Sequence, residues 1–186
     1  ALLKEVGTTN KTHLSDYQQG FTEKTKLVMR VHPSNFKISG FTSKPSLEDL
    51  STLCGSRSVP LVEDLGSGCL INLQADRIEA EPHPRESLSQ GADLVCFSGD
   101  KLLGGSQAGI IVGSPLYLKK LRENPLFRAL RVDKLALTVL ESTLISYLTQ
   151  REELEIPVVR MIRMDAGCLK KRARSLVARI SGLRTD

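Results

Sequence analysis

Ala92-Asp93-Leu94-Val95-Cys96-Phe97-Ser98-Gly99-Asp100-Lys101-Leu102-Leu103-Gly104-Gly105 is the stretch on which the fold turns. Its apolar first half reads as a short buried strand, and a serine, a lysine and a glycine pair follow it. Ser98 to Lys101 therefore fall where a strand opens into a loop, the edge at which open α/β sheets bind their ligands. A solvated turn would explain Asp100 and Lys101 if they stood alone. Upstream, however, Val59-Pro60-Leu61-Val62-Glu63-Asp64-Leu65-Gly66-Ser67-Gly68 forms a second apolar run that ends in an acid and a glycine-rich turn. Asp64 thus leaves the sheet at the same edge as Lys101.

A strand-end carboxylate followed 37 positions later by a strand-end lysine is the pair that a pyridoxal phosphate site requires. The lysine bonds the cofactor aldehyde, and the carboxylate keeps the pyridine nitrogen protonated so that the ring accepts electrons. An Asx turn before Gly66 is the competing explanation for Asp64.

Apolar runs at Leu27 to Val31, Pro60 to Val62, Leu94 to Phe97 and Ala108 to Val112 predict strands. Between them lie helical patterns. Ser46 caps a segment whose Leu47, Leu50 and Leu53 recur at a helical interval, and Arg85 to Gln90 and Pro115 to Glu123 predict two more helices. The alternation implies an α/β fold, a mainly parallel sheet flanked by helices. Residues 132–150 then predict a long helix, and an amphipathic helix follows Pro157 to about Ile180. The charged stretch Gln150 to Ile156 marks a boundary, dividing the chain into a partial cofactor-binding domain (1–150) and the linker and first helix of a smaller C-terminal domain (151–186).

The chain has 186 residues, 40% hydrophobic, enough to bury a core. No run of about 18 apolar residues suggests a membrane span, and no secretory pattern opens the sequence, so a cytoplasmic location is expected. Cys54, Cys69, Cys96 and Cys168 form no C-x-x-C pair, which implies reduced thiols and no metal site. The net charge of +5 is concentrated in Lys119, Lys120, Arg122, Lys170, Lys171, Arg172, Arg174, Arg179 and Arg184. Such a field suits a polyanion such as RNA, and equally the exposed faces of amphipathic helices. Aromatic content of 4% does not support a base-stacking platform.

Five blocks occur in one order: Glu5-Val6-Gly7-Thr8-Thr9-Asn10, Val31-His32-Pro33-Ser34-Asn35-Phe36, Asp64 to Gly68, Ser98 to Gly113, and Arg128-Ala129-Leu130-Arg131-Val132-Asp133-Lys134. Together they resemble the bacterial selenocysteine synthase family, the L-seryl-tRNA(Sec) selenium transferases, from residue 1 to about residue 165. The resemblance implies a fold type I pyridoxal phosphate enzyme with a large domain, a smaller C-terminal domain, and active sites shared in a homo-oligomer, at least a dimer and in the family a ring of dimers. The chain reads as a fragment, with the tRNA-contacting N-terminal region and further phosphate contacts expected before Ala1.

The resemblance makes Lys101 the cofactor-bonding lysine and Asp64 the partner of the pyridine nitrogen, in agreement with the chemical reading. It assigns Ser98 to the cofactor phosphate, Gly104 and Gly105 to close approach of a phosphate, and Asn35 to the cofactor ring oxygen, with a plain turn asparagine as the alternative. Arg128 and Arg131, three apart in a helical context, are expected to grip selenophosphate; pairing with Asp133, Glu123 or a subunit neighbour would also account for them. His32 and His13 are expected to be structural. The sequence departs from the family pattern at Ser106, where proline is usual, and a serine is expected to loosen the loop. The implied reaction converts seryl-tRNA(Sec) to selenocysteinyl-tRNA(Sec), by elimination of the serine hydroxyl and addition of selenium from selenophosphate. A related pyridoxal phosphate lyase acting on a small amino acid, and an inactive module that only binds tRNA or oligomerises, are the alternatives. Neither DNA nor a membrane is an expected partner.

Overall fold

A computed structural model of the chain describes residues 2–73 and 81–182; Arg184 of the basic series lies outside them. Four strands form one sheet in chain order: β1 (Val28–Val31), β2 (Leu61–Gly66), β3 (Leu94–Ser98) and β4 (Gly109–Gly113). β1, β2 and β3 are parallel, with Val28 opposite Leu61 and Val62 opposite Leu94. β4 is antiparallel to β3, Val95 facing Val112. The reason is the length of the connection. Helix α2 (Leu47–Ser56) separates β1 from β2 and helix α3 (Pro84–Ser89) separates β2 from β3, whereas only the loop of residues 99–108 joins β3 to β4. A connection that short returns a strand antiparallel, because a parallel crossover needs a dozen residues or more.

Local signals set the helix boundaries. Helix α1 (Leu14–Gly20), which the sequence pattern did not announce, precedes β1. Ser46 Oγ accepts the Asp49 N–H at 3.0 Å and so caps α2, as its sequence predicts. Leu47, Leu50 and Cys54, spaced three and four apart, turn one face of α2 onto the sheet, where Val28, Leu61, Leu65, Val95 and Phe97 complete the core. On the opposite sheet face Val62 and Leu94 are buried, whereas Met29, Val31 and Ile111 are exposed, with Asp64 and Cys96 half-buried between Val31 and Ile111.

Helices α4 (Pro115–Glu123), α5 (Pro125–Leu130) and α6 (Lys134–Leu148) follow the sheet. The charged stretch after them contains a short helix, α7 (Glu152–Glu155). Beyond Pro157, where one helix was expected, there are two: α8 (Pro157–Ile162) and α9 (Ala166–Gly182). Asp165 ends the continuity, its Oδ2 accepting the Cys168 N–H at 3.1 Å as a new helix cap. Ile156 and Val159 are buried.

Candidate functional site

Lys101 sits in the loop between β3 and β4, and that loop is tightly held. Its own amides close it: Gly99 N–H donates to Ala108 O at 2.9 Å, Gly104 N–H to Lys101 O at 3.0 Å, and Gly105 N–H to Gly99 O at 2.8 Å. Leu103, fully buried, plugs it into the core. Three bonds tie it to its surroundings. Leu102 N–H donates to Ser67 O at 2.9 Å, Tyr147 OH to Leu103 O at 3.0 Å, and Ser106 Oγ to Ala136 O at 2.7 Å. The last corrects the expectation that serine loosens the loop: its hydroxyl anchors the loop to α6. Burial pushes the Tyr147 hydroxyl up to about 12, with nearby Cys69 and Glu152 adding to the effect.

The exit of β2 faces this loop. The β2–β3 register shifts between Asp64 and Gly66, a bulge that re-aims the end of the strand. At Gly66, where other residues carry a Cβ, the backbone lies close to two side chains. An atom there would lie 3.7 Å from Lys101 Nζ and 3.0 Å from Ser34 Oγ. The lysine amine therefore stands over the strand exit two residues past Asp64. Asp64 itself pairs in register with Val31 and Cys96, and its carbonyl accepts the His32 N–H at 2.8 Å. Burial raises the Cys96 thiol above its usual range, and the Asp64 carboxylate raises it further.

The remaining expected site residues are distributed as follows. Ser98 is the last residue of β3, three before Lys101. Asn35 is exposed in the turn after β1. Gly104 and Gly105 have both amides engaged within the loop, and their Cα atoms face protein: a Cβ on Gly104 would lie 2.4 Å from Ile156 Cγ2, and one on Gly105 would lie 3.2 Å from Thr143 Oγ1. Arg128 lies in the last turn of α5, whereas Arg131 lies just past it with extended backbone, so helical spacing alone does not set their relative direction. Both are exposed.

Two features were not singled out in the sequence. Ser34, beside the chosen Asn35, is the residue whose hydroxyl reaches the space at Gly66. His32 lies 3.5 Å through Nε2 from Glu81 Oε2, which also accepts from Ser67 Oγ at 3.0 Å. His32 and Glu81 border a cleft of about 390 Å³ that Arg30, Lys44 and Glu63 also line. Within it, Arg30 Nε donates to the buried Glu63 carboxylate at 2.8 Å. Positions 30 and 63 were unreadable as partners because their pairing depends on strand register, which sequence spacing does not reveal.

The sheet and its helices resemble those of enzymes that use pyridoxal phosphate. D-Glucosaminate-6-phosphate ammonia-lyase superposes with a TM-score of 0.61 at 21% identity, over 78% of this chain and 36% of that one. A PLP-dependent aminotransferase from Streptococcus suis superposes with a TM-score of 0.53 at 15% identity, over 76% of this chain and 36% of that one. These likenesses show the fold. The family described as SelA, L-seryl-tRNA selenium transferase, matches residues 1–185, and the chain belongs to that family. It is 50% identical over 184 residues to the L-seryl-tRNA(Sec) selenium transferase of Clostridium perfringens, and 49% identical over 181 residues to that of Geobacter metallireducens. The alignments cover 98% and 97% of this chain but only 40% and 39% of those proteins, so the chain spans about two fifths of their length.

Proposed function

We propose that the natural protein converts seryl-tRNA(Sec) to selenocysteinyl-tRNA(Sec), with pyridoxal phosphate as cofactor and selenophosphate as selenium donor. One observation carries the reading: the Lys101 amine comes within 3.7 Å of a Cβ placed at Gly66, the last residue of β2 and two residues past the Asp64 carboxylate. An aldehyde-bonding amine and an acid for the ring nitrogen fit pyridoxal phosphate. Bound there, the cofactor supplies an electron sink that lets the Cα–H and Cβ–O bonds of the seryl group break.

The chain's own residues do the rest. Lys101 would hold the cofactor through its amine, and its Nζ would serve as the base that takes the Cα proton. Asp64 keeps a proton on the ring nitrogen. Ser98 donates to the phosphate, and Asn35 reaches the ring oxygen from the turn after β1, beside the Ser34 hydroxyl. Gly104 and Gly105 contribute by letting the lysine loop lie close against α6 and α8, since their amides are already committed. Arg128 and Arg131 hold the tetrahedral anion that delivers selenium to Cβ. In this reading the protein is a cytoplasmic homo-oligomer, at least a dimer and in its full form a ring of dimers, and residue 150 ends the cofactor-binding domain.

The test uses the natural full-length protein. Pyridoxal phosphate should give an absorbing protein adduct that borohydride fixes to the Lys101 peptide, and Lys101→Ala should remain colourless. Seryl-tRNA(Sec), but not free serine, should then perturb the spectrum. A response to free amino acids alone would assign a small-molecule lyase instead, and a colourless wild-type protein would reduce the chain to a binding or oligomerising module.

A further inference from the structure

We propose that Ser106 is a positioning residue, one that fixes the lysine loop to the first turn of α6 and so sets Lys101 against the segment bearing Arg128 and Arg131. The inference rests on the function proposed above and deepens it. Neither Lys101 nor the arginines touch Ser106; its hydroxyl donates to Ala136 O at 2.7 Å across 30 residues of sequence.

The place of Ala136 gives that bond its reach. The Ala136 N–H donates to Asp133 Oδ1 at 2.9 Å, the cap that starts α6, and Asp133 stands two residues after Arg131. One residue thus holds the arginine segment through its amide and the lysine loop through its carbonyl. Along the same helix, Gly105 lies against Thr143 and Leu140, and Tyr147 OH holds Leu103 O from the last turn. The loop therefore hangs from both ends of α6, a rigid rod about 20 Å long by its helical rise. The Tyr147 end fixes its depth in the core. The Ser106 end lies nearer the arginines, and without it the loop keeps its ties to Tyr147 and Ser67 but loses the one to the start of α6.

The test compares Ser106→Ala with Ser106→Thr, which keeps the hydroxyl, in the natural full-length protein. Hydrogen exchange at Gly104 and Gly105 and the affinity for inorganic phosphate are the readouts, with Arg128→Ala identifying the phosphate that binds at the arginines. Ser106→Ala should speed exchange of the two amides by about 3- to 10-fold, the span expected for one neutral hydrogen bond, and weaken phosphate binding by a similar factor. Pyridoxal phosphate should still attach to Lys101, and Ser106→Thr should restore both values. Unchanged exchange in Ser106→Ala, or faster exchange with unaltered phosphate affinity, would overturn the proposal. If the wild-type protein forms no lysine adduct, the proposed function fails, while the exchange and phosphate readouts still decide whether Ser106 couples the two segments.

Discussion

The loop carrying Lys101 and the segment carrying Arg128 and Arg131 serve one proposed site, yet the chain holds them in opposite ways. The loop has a fully buried leucine, ties to β2 and to both ends of α6, and two glycines pressed against neighbouring helices. The arginine segment has none of this. No residue of α5 is buried, and Leu126, Phe127 and Leu130 are 67%, 50% and 79% exposed. The covalent anchor for a cofactor must be preset to within a fraction of an ångström, and packing supplies that. An anion-gripping pair tolerates looser placement, because charge acts over longer distances than contact.

The largest effect that would break the comparison is total. Lys101→Ala should abolish covalent capture of pyridoxal phosphate, read as absorbance lost in the full-length protein, while Arg128→Ala and Arg131→Ala leave capture intact. If the arginine variants also lost it, the two regions would be one unit.

Stability should divide in the same way. Gly68, just beyond β2, has φ +67°, and a Cβ there would stand 2.5 Å from Ser98 O. Gly68→Ala should therefore cost about 3 kcal/mol in urea unfolding, from combined backbone strain and overpacking. Arg128→Ala should stay within about 0.5 kcal/mol of wild type, as surface changes do. Equal losses would show that α5 is more firmly seated than its exposure implies.

Alkaline pH should loosen the scaffold beneath the loop. Burial first, and Asp93 second, push the Cys54 thiol from 9.0 to about 11. A thiol raised in the folded state contributes stability in full below pH 9, and that contribution is lost as pH rises through about 11. The loss should reach roughly 2 kcal/mol and should be absent from the pH dependence of Cys54→Ala. A smaller effect sharpens the picture at the site. Asp64→Asn removes a charge that holds the Cys96 thiol up, so iodoacetamide should modify Cys96 roughly threefold faster at mildly alkaline pH. No change in rate would mean that the Asp64 carboxylate does not face Cys96.

Much of this was legible in residue order. Lys101 and Asp64 announced themselves because apolar runs end at them, and strand ends are where a sheet delivers side chains to a ligand. The Ser46 cap was readable because capping is local chemistry. The reversal of β4 is a matter of connection length, and a mainly parallel reading accommodates it. What escaped notice was non-local. The Ser34 hydroxyl comes within 3.0 Å of a Cβ placed at Gly66, an approach set by the turn after β1. Arg131 escapes the helix that its spacing suggested because α5 stops at Leu130. Asp165 divides the last helical stretch although its amphipathic pattern runs on. Ser106 looked like a relaxation of the loop, since nothing nearby in sequence offers it the carbonyl it finds 30 residues later.

The bond from the Leu102 amide to the Ser67 carbonyl joins the two strand exits through main chain alone. Amino-acid exchange at either position leaves such a rivet in place, so the gauge between amine and acid can survive drift in both residues. Only proline at 102, which has no hydrogen to give, would pull it out.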